Sequence, residues 1–238
     1  MTQTPARPSL ALVIGAGGGL GAALVQKLLA DAEHFVLSLG RNTQPAIDYF
    51  DEASLQRAAE WVAEQCAVQQ ADLRLLVVTS GFLHGEQGQP ERSWSHLDAD
   101  YLNHVFRVNT IGPALVMKYF LPLLPKQGRC VAGFVSAKVG SIGDNALGGW
   151  YGYRASKAAL NQLVKTASIE LSRRNSNAIC VALHPGTVDT ALSQPFAKTG
   201  LKVRPATEAS NDLLMVLAGL TPTQTGALMD YQGQMLPW

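Results

Sequence analysis

A surplus of charge is the first thing this sequence lacks: 19 basic residues stand against 18 acidic ones, a formal net charge of +1 over 238 residues. Nucleic acid and anionic membrane surfaces are held by concentrated positive charge, and with no basic cluster neither is an expected partner. Cysteine is scarce too. The three present, Cys66, Cys130 and Cys180, are odd in number and far apart, which excludes a disulfide framework and metal-ligand spacing. They are expected as buried thiols in a reducing, cytoplasmic setting. The five histidines, His34, His84, His96, His104 and His184, show no metal-ligand or triad pattern. Long apolar runs are also missing. The first, Leu10 to Ile14, stops at Gly15 and is too short for a signal-peptide core or a membrane span.

What remains is a chain built to bury a sheet. Hydrophobic residues make up 47%, charged residues 16%, and mean hydropathy is +0.07, values of a globular core rather than of disorder. No repeat, low-complexity tract or linker divides the chain, so a single domain over residues 1–238 is expected. Ser9 to Ile14 reads as a buried strand, and the glycines after it lead into a helix in which Leu20, Leu24 and Leu28 recur at four-residue spacing. Further strands are expected at 35–39, 75–79, 129–135, 178–183 and 227–231, and helices at 52–67, 153–172 and 208–217. The longest periodic stretch, 98–124, reads as a helix interrupted or bent by Pro113 and Pro122. Strands alternating with helices predict right-handed crossovers and an α/β fold, a doubly wound parallel sheet covered by helices on both faces in three α/β/α layers.

Two local patterns carry chemistry. Gly15-Ala16-Gly17-Gly18-Gly19-Leu20-Gly21 lies between the first strand and the first helix, where backbone N–H groups and the helix dipole meet a pyrophosphate. One glycine turns the chain, one lets a cofactor approach the backbone, and one packs the helix against the strand. The second pattern is Tyr153 and Lys157, four apart in a helical segment, so that phenol and ammonium share a face with β-carbons about 5–6 Å apart. A cation there favours the phenolate and lowers a tyrosine pKa that is otherwise about 10. Lowering it by about 3 units takes roughly 4 kcal/mol, more than one exposed lysine supplies, and a cationic cofactor ring would add to it. Taken alone, the pair reads better as a solvated helical face than as a catalytic device.

In order and spacing, the glycine turn, Asn109, Tyr153 to Lys157 and Pro185-Gly186-Thr187-Val188-Asp189-Thr190 resemble the short-chain dehydrogenase/reductase family, across essentially the whole chain. Segments 140–145, 148–161 and 183–190 look like its C-factor and sniffer-type carbonyl reductase branch. The resemblance implies a Rossmann-type fold and hydride transfer between nicotinamide and a small carbonyl or alcohol substrate, with Tyr153 exchanging the proton on the substrate oxygen. It implies that Lys157 lowers the Tyr153 pKa and bonds the nicotinamide ribose, and that Asn109 bends the long helix and holds a relay water. Gly15, Gly17, Gly18, Gly19, Leu20 and Gly21 would cradle the pyrophosphate together with Thr190. Asp48 and Tyr49 would flank the adenine, Ser80 and Gly81 would lie beside the cofactor, and Pro185, Gly186 and Val188 would approach the nicotinamide. Arg41, just after the second strand, favours NADP(H) through the 2′-phosphate, with NAD(H) allowed. Family members commonly pair through the long helix and the tyrosine helix, so a homodimer or homotetramer is expected.

The chain departs from the family pattern twice. Val78-Thr79-Ser80-Gly81 stands where the family usually has Asn-Asn-Ala-Gly, so a structural asparagine pair is absent. The usual catalytic serine position falls on Ala137, and Ser136 is the expected stand-in, with Ser141 second, because a hydroxyl there would hydrogen-bond the reacting oxygen. Ser136 also reads as a strand end bonded to backbone. These departures support an alternative function, a cofactor-binding regulatory or signalling protein with little turnover; intact Asn109, Tyr153 and Lys157 oppose it. Three further features bear on the substrate. His84 follows the strand expected at 75–79, Trp150 and Tyr151 either line the pocket or pack in an aromatic core, and a flap is expected over 196–203.

Overall fold

The computed structural model describes residues 7–31, 33–196 and 203–238. The first strand, β1 (Ser9–Ile14), feeds α1 (Gly19–Asp31), then come β2 (His34–Leu39), α2 (Glu52–Val68) and β3 (Asp72–Val78). The long helical stretch consists of α3 (Ala99–Phe106), a π-helical turn over Arg107–Ile111, and α4 (Gly112–Phe120). After these follow β4 (Cys130–Val135), α5 (Tyr151–Arg174), β5 (Ala178–His184), the two-residue strands β6 (Thr187–Val188) and β7 (Val203–Arg204), α6 (Ala206–Gly219), β8 (Leu228–Asp230) and β9 (Met235–Leu236).

The main sheet has the order β2-β1-β3-β4-β5-β8-β9. Every pairing is parallel except β8 with β9. Strands buried on both faces read as near-continuous apolar runs, and β1, β3, β4 and β5 do. Alternate residues divide between two cores. Leu12, Ile14, Leu76, Val78, Phe134 and Phe120 fill the layer under α2, α4 and α5, while Val13, Val77, Val181, Leu24 and Leu213 fill the layer under α1 and α6. Phe120 and Phe134 are fully buried, and truncating either to alanine would cost roughly 3–5 kcal/mol.

Two expectations are corrected. The bend in the long helix falls at the π-helical turn around Asn109, while Pro113 sits harmlessly at the start of α4, because the first turn of a helix has no partner for the missing N–H. The tyrosine helix begins at Tyr151, two residues earlier than its periodicity indicated. Cys130 and Cys180 are buried as expected, whereas Cys66 is only partly so. Of the expected flap, residues 197–202 lie outside the described residues. Among the described residues no helix is long and apolar enough to cross a membrane, and no group of His, Cys, Asp and Glu could hold a metal ion.

Candidate active site

The sheet order reverses between β1 and β3, and at such a switch point the strands' carboxyl ends open a crevice for a ligand. Ile14 pairs with Val78 there, which brings the glycine turn against Thr79 and Ser80. Gly15 has φ +91°, and a β-carbon on it would lie 2.6 Å from Thr79 Oγ1; only glycine makes this turn. A β-carbon on Gly21 would lie 2.3 Å from the Gly15 carbonyl oxygen, so glycine is what lets α1 start so close to the strand. Around Gly17, by contrast, there is open space, and the Gly19 position touches the Thr190 methyl. The first N–H groups of α1 have no partner within the helix. The N–H groups of Gly15, Ala16 and Gly18 are bonded within the fold, while those of Gly17 and the first turn of α1, bordered by Thr190 and open at Gly17, fit a pyrophosphate.

Thr79 supplies what the missing asparagine pair would have: its hydroxyl bonds the carbonyls of Ile14 and Gly15, both at 3.1 Å. A β-branched polar residue at a strand end was the only sign of this in the sequence. Tyr49 is buried, donates to Ser80 Oγ at 2.8 Å, and lays its ring against Gly112, where a β-carbon would come within 2.2 Å. Burial pushes its pKa up to about 12. Asp48 is exposed and bonds the Phe50 N–H. Arg41 is exposed in the turn after β2, next to Gly40, whose β-carbon position is 3.7 Å from Gly17 N.

Asn109 joins three segments. Its Oδ1 accepts from Phe82 N at 2.7 Å, and its Nδ2 donates to Phe82 O at 2.8 Å and to Ser156 Oγ at 3.1 Å. Ser156 in turn donates to the Tyr153 carbonyl at 2.8 Å, so the loop after β3 is tied to the helix turn that carries the tyrosine. Tyr153 and Lys157 are both buried, at 8% and 2% exposure. The Lys157 ammonium donates to Val135 O at 2.9 Å and lies 5.8 Å from the centre of the Tyr153 ring. A β-carbon on Gly81 would be 3.7 Å from both Lys157 Nζ and Asn109 Oδ1, so Gly81, Asn109 and Lys157 meet at one point.

In the protein alone, without the charge of a cofactor ring, the tyrosine is not depressed. Burial raises the Tyr153 pKa to about 12 and draws Lys157 down to about 8, because leaving water penalises whichever form is charged. Both candidate serines are engaged. Ser136 is buried and donates to Asn161 Oδ1 at 2.6 Å, while Ser141 Oγ accepts from Asp144 N at 3.1 Å. Ala137 is the partly exposed residue between them.

Pro185 and Gly186 leave β5, Gly186 with φ +77°. The buried Arg204 holds this turn: it reaches Pro185 O at 3.4 Å, pairs with Glu208 at 2.9 Å and with Asp212, and lies 4.0 Å from the Tyr231 ring centre. His84 bonds Ala191 O at 3.0 Å, linking the loop after β3 to the segment after Thr190. His184, beside Asp230 in the sheet, is drawn down to about 4 by burial. The roles of Arg204 and Glu91, the latter accepting from Gly152 N at the start of α5, had no sequence signal, since each depends on a partner far along the chain.

A parallel sheet with a glycine cradle at its switch point and a buried Tyr-Lys pair beside it defines a dinucleotide-dependent oxidoreductase fold. The short chain dehydrogenase family model matches residues 9–200, and the chain belongs to that family. Within it the chain is similar to the C-signal protein and to solved carbonyl reductases. The C-signal protein of Myxococcus xanthus is 37% identical over 143 residues, 59% of this chain and 82% of the relative. The 1-hydroxy-2-glutathionyl-2-methyl-3-butene dehydrogenase of Rhodococcus sp. (strain AD45) is 28% identical over 240 residues, 97% of this chain and 100% of the relative. The NADPH-bound carbonyl reductase from chicken fatty liver superposes with a TM-score of 0.82 at 26% identity, covering 99% of this chain and 100% of that one. Use of a nicotinamide dinucleotide follows from the family and from the fit of the cradle.

Proposed function

We propose that this chain is an NADP(H)-dependent reductase of small carbonyl compounds in which Tyr153 protonates the substrate oxygen. One observation carries the reading: Tyr153, Lys157 and Asn109 converge beside the glycine cradle. When bound, the dinucleotide supplies the hydride. Gly17, Gly19 and Leu20 would offer N–H groups to the pyrophosphate and Thr190 its hydroxyl, with Arg41 over a 2′-phosphate.

Burial raises the Tyr153 pKa to about 12, which keeps the proton in place at neutral pH but makes the phenol a weaker acid, so its release needs neighbouring positive charge. The nearby Lys157 charge favours the phenolate left behind once that proton is given up. The same groups serve the reverse oxidation of an alcohol, each proton step running backwards over Tyr153. Asn109 fixes Ser156 and through it the Tyr153 turn, and would hold the relay water that the family resemblance implies. Ser136 is the first-ranked second donor to the reacting oxygen and Ser141 the next; to serve, Ser136 has to exchange its Asn161 partner for the substrate. A cytoplasmic homodimer or homotetramer pairing through α4 and α5 belongs to the same reading.

The test is NADPH consumption with a panel of carbonyl compounds, comparing the parent with Tyr153→Phe, Ser136→Ala and Ser141→Ala. Tyrosine-dependent turnover is expected. Cofactor binding with no tyrosine-dependent turnover of any substrate would favour the regulatory reading, which the likeness to the C-signal protein and Ala137 support.

A further inference from the structure

The turn that delivers Tyr153 is built in an unusual way. Gly148, Gly149 and Trp150 have φ of +66°, +65° and +54°, three left-handed residues in succession immediately before α5. Glycine adopts this region freely. A tryptophan does not, because its β-carbon crowds the neighbouring carbonyl, and bulky residues in this conformation are outliers that persist only when the surroundings impose them.

Glu91 imposes it. This residue, in the loop after β3, is 2% exposed, and its backbone carbonyl accepts the Trp150 N–H at 2.5 Å. Its carboxylate accepts the Gly152 N–H with both oxygens at 3.1 Å, so it supplies the cap that no side chain at Trp150 provides. Gly152 cannot be larger: a β-carbon there would lie 2.9 Å from Glu91 Oε1 and from the Leu102 side chain. Glycine or asparagine at position 150 would satisfy the backbone with less strain. The tryptophan is therefore explained by what its ring does, and the ring stands edge-on to Tyr153, 6.1 Å between centres at 80°.

The surrounding surface has the same character. The three most exposed large apolar side chains among the described residues are Leu147 at 92%, Ile142 at 79% and Trp94 at 76%. All three belong to the loops that leave the carboxyl ends of β3 and β4, the loops that also bear Glu91 and Trp150. Apolar side chains left in water on loops at the carboxyl edge of the sheet suit an apolar ligand.

We propose that Trp150 is a specificity-determining residue, an aromatic wall held against Tyr153 by Glu91, which selects carbonyl compounds carrying a flat aromatic ring next to the carbonyl. The proposal rests on the reductase reading above. A substrate ring against the indole gains an aromatic contact that an alkyl chain does not, a contact that amounts to about tenfold at the upper end of measured aromatic pairs.

The experiment compares kcat/KM for 2-naphthaldehyde and butanal in the parent, Trp150→Asn and Trp150→Phe. Asparagine tolerates the left-handed region and so preserves the turn while deleting the ring. The ratio of the two kcat/KM values is expected to fall about tenfold in Trp150→Asn, through KM for the naphthaldehyde, and to be restored by Trp150→Phe. An unchanged ratio overturns the proposal. A readout without turnover keeps the two readings apart: calorimetric titration of 2-naphthaldehyde into Tyr153→Phe protein with NADPH, with and without Trp150→Asn. If the parent turns over nothing yet this binding needs Trp150, the reductase reading fails and the wall stands. If binding is indifferent to Trp150, the wall fails.

Discussion

Replacing Lys157 by methionine should make the protein more stable near pH 7. The lysine is 2% exposed, and burial moves its pKa from the ordinary 10.5 to about 8. Holding the ammonium charged in the fold at pH 7 thus costs about 3 kcal/mol relative to the unfolded chain, at 1.36 kcal/mol per pKa unit. Methionine has a similar length and no charge. Against the gain stands the bond from Nζ to Val135 O at 2.9 Å, whose loss leaves a carbonyl short of a donor at a cost of about 1 kcal/mol. The net is a stabilisation of about 2 kcal/mol, or a Tm rise of roughly 4–8 °C for a domain of this size. The sign of the pH dependence follows from linkage. Between pH 8 and 10.5 the unfolded chain binds more protons at this lysine than the folded one, so the parent gains stability as pH rises through that window and the variant does not. Urea unfolding of both proteins without cofactor, from pH 6.5 to 9.5, reads the difference directly. The variant should lead at pH 7, its lead should shrink above pH 8, and its carbonyl reductase activity should be lost. A variant less stable than the parent by the same amount at every pH would refute the claim that burial dominates at Lys157.

Other consequences follow from named contacts. Arg41→Ala should raise KM for NADPH at least tenfold more than KM for NADH, through loss of a charge-assisted contact to the 2′-phosphate; equal losses in steady-state assays would remove Arg41 from cofactor selection. Thr79→Val deletes the hydroxyl that bonds Ile14 O and Gly15 O, and should cost about 1 kcal/mol in urea unfolding together with weaker NADPH binding by fluorescence titration. His184 titrates at about 4 in the fold against an ordinary 6.5. Its contribution to stability is therefore fully present above pH 6.5 and is lost as pH falls towards 4, by up to about 3 kcal/mol. His184→Gln should flatten that acid limb, and thermal melts of the two proteins across this range that stay parallel would exclude the effect.

Much of this site is local, and what is local was legible. A glycine turn between an apolar strand and an amphipathic helix, a tyrosine and lysine four residues apart, and a Pro-Gly turn after a β-branched strand each declare themselves within a few residues. Periodicity placed the strands for the same reason, since strands buried on both faces must be apolar. Periodicity and Pro113 do not locate the irregularity in the long helix, whereas the resemblance places it at Asn109, where the π-helical turn lies. The π-helical turn at Asn109 depends on Phe82 and Ser156, which lie 27 and 47 residues away, and no window of sequence contains all three.

The same separation governs the rest. Thr79 holding the Gly15 turn, Glu91 capping the tyrosine helix and Arg204 bracing Pro185 are pairings between distant segments, and residue type alone does not name the partner. The sequence by itself determined which groups were available for chemistry: a phenol, an ammonium, an asparagine and a bare glycine turn, all at the carboxyl end of a parallel sheet. Only the tertiary structure decided their condition. Burial, which belongs to no single residue, raises the Tyr153 pKa, while contacts between distant segments turn the Ser136 hydroxyl to Asn161 and hold Trp150 left-handed against Glu91.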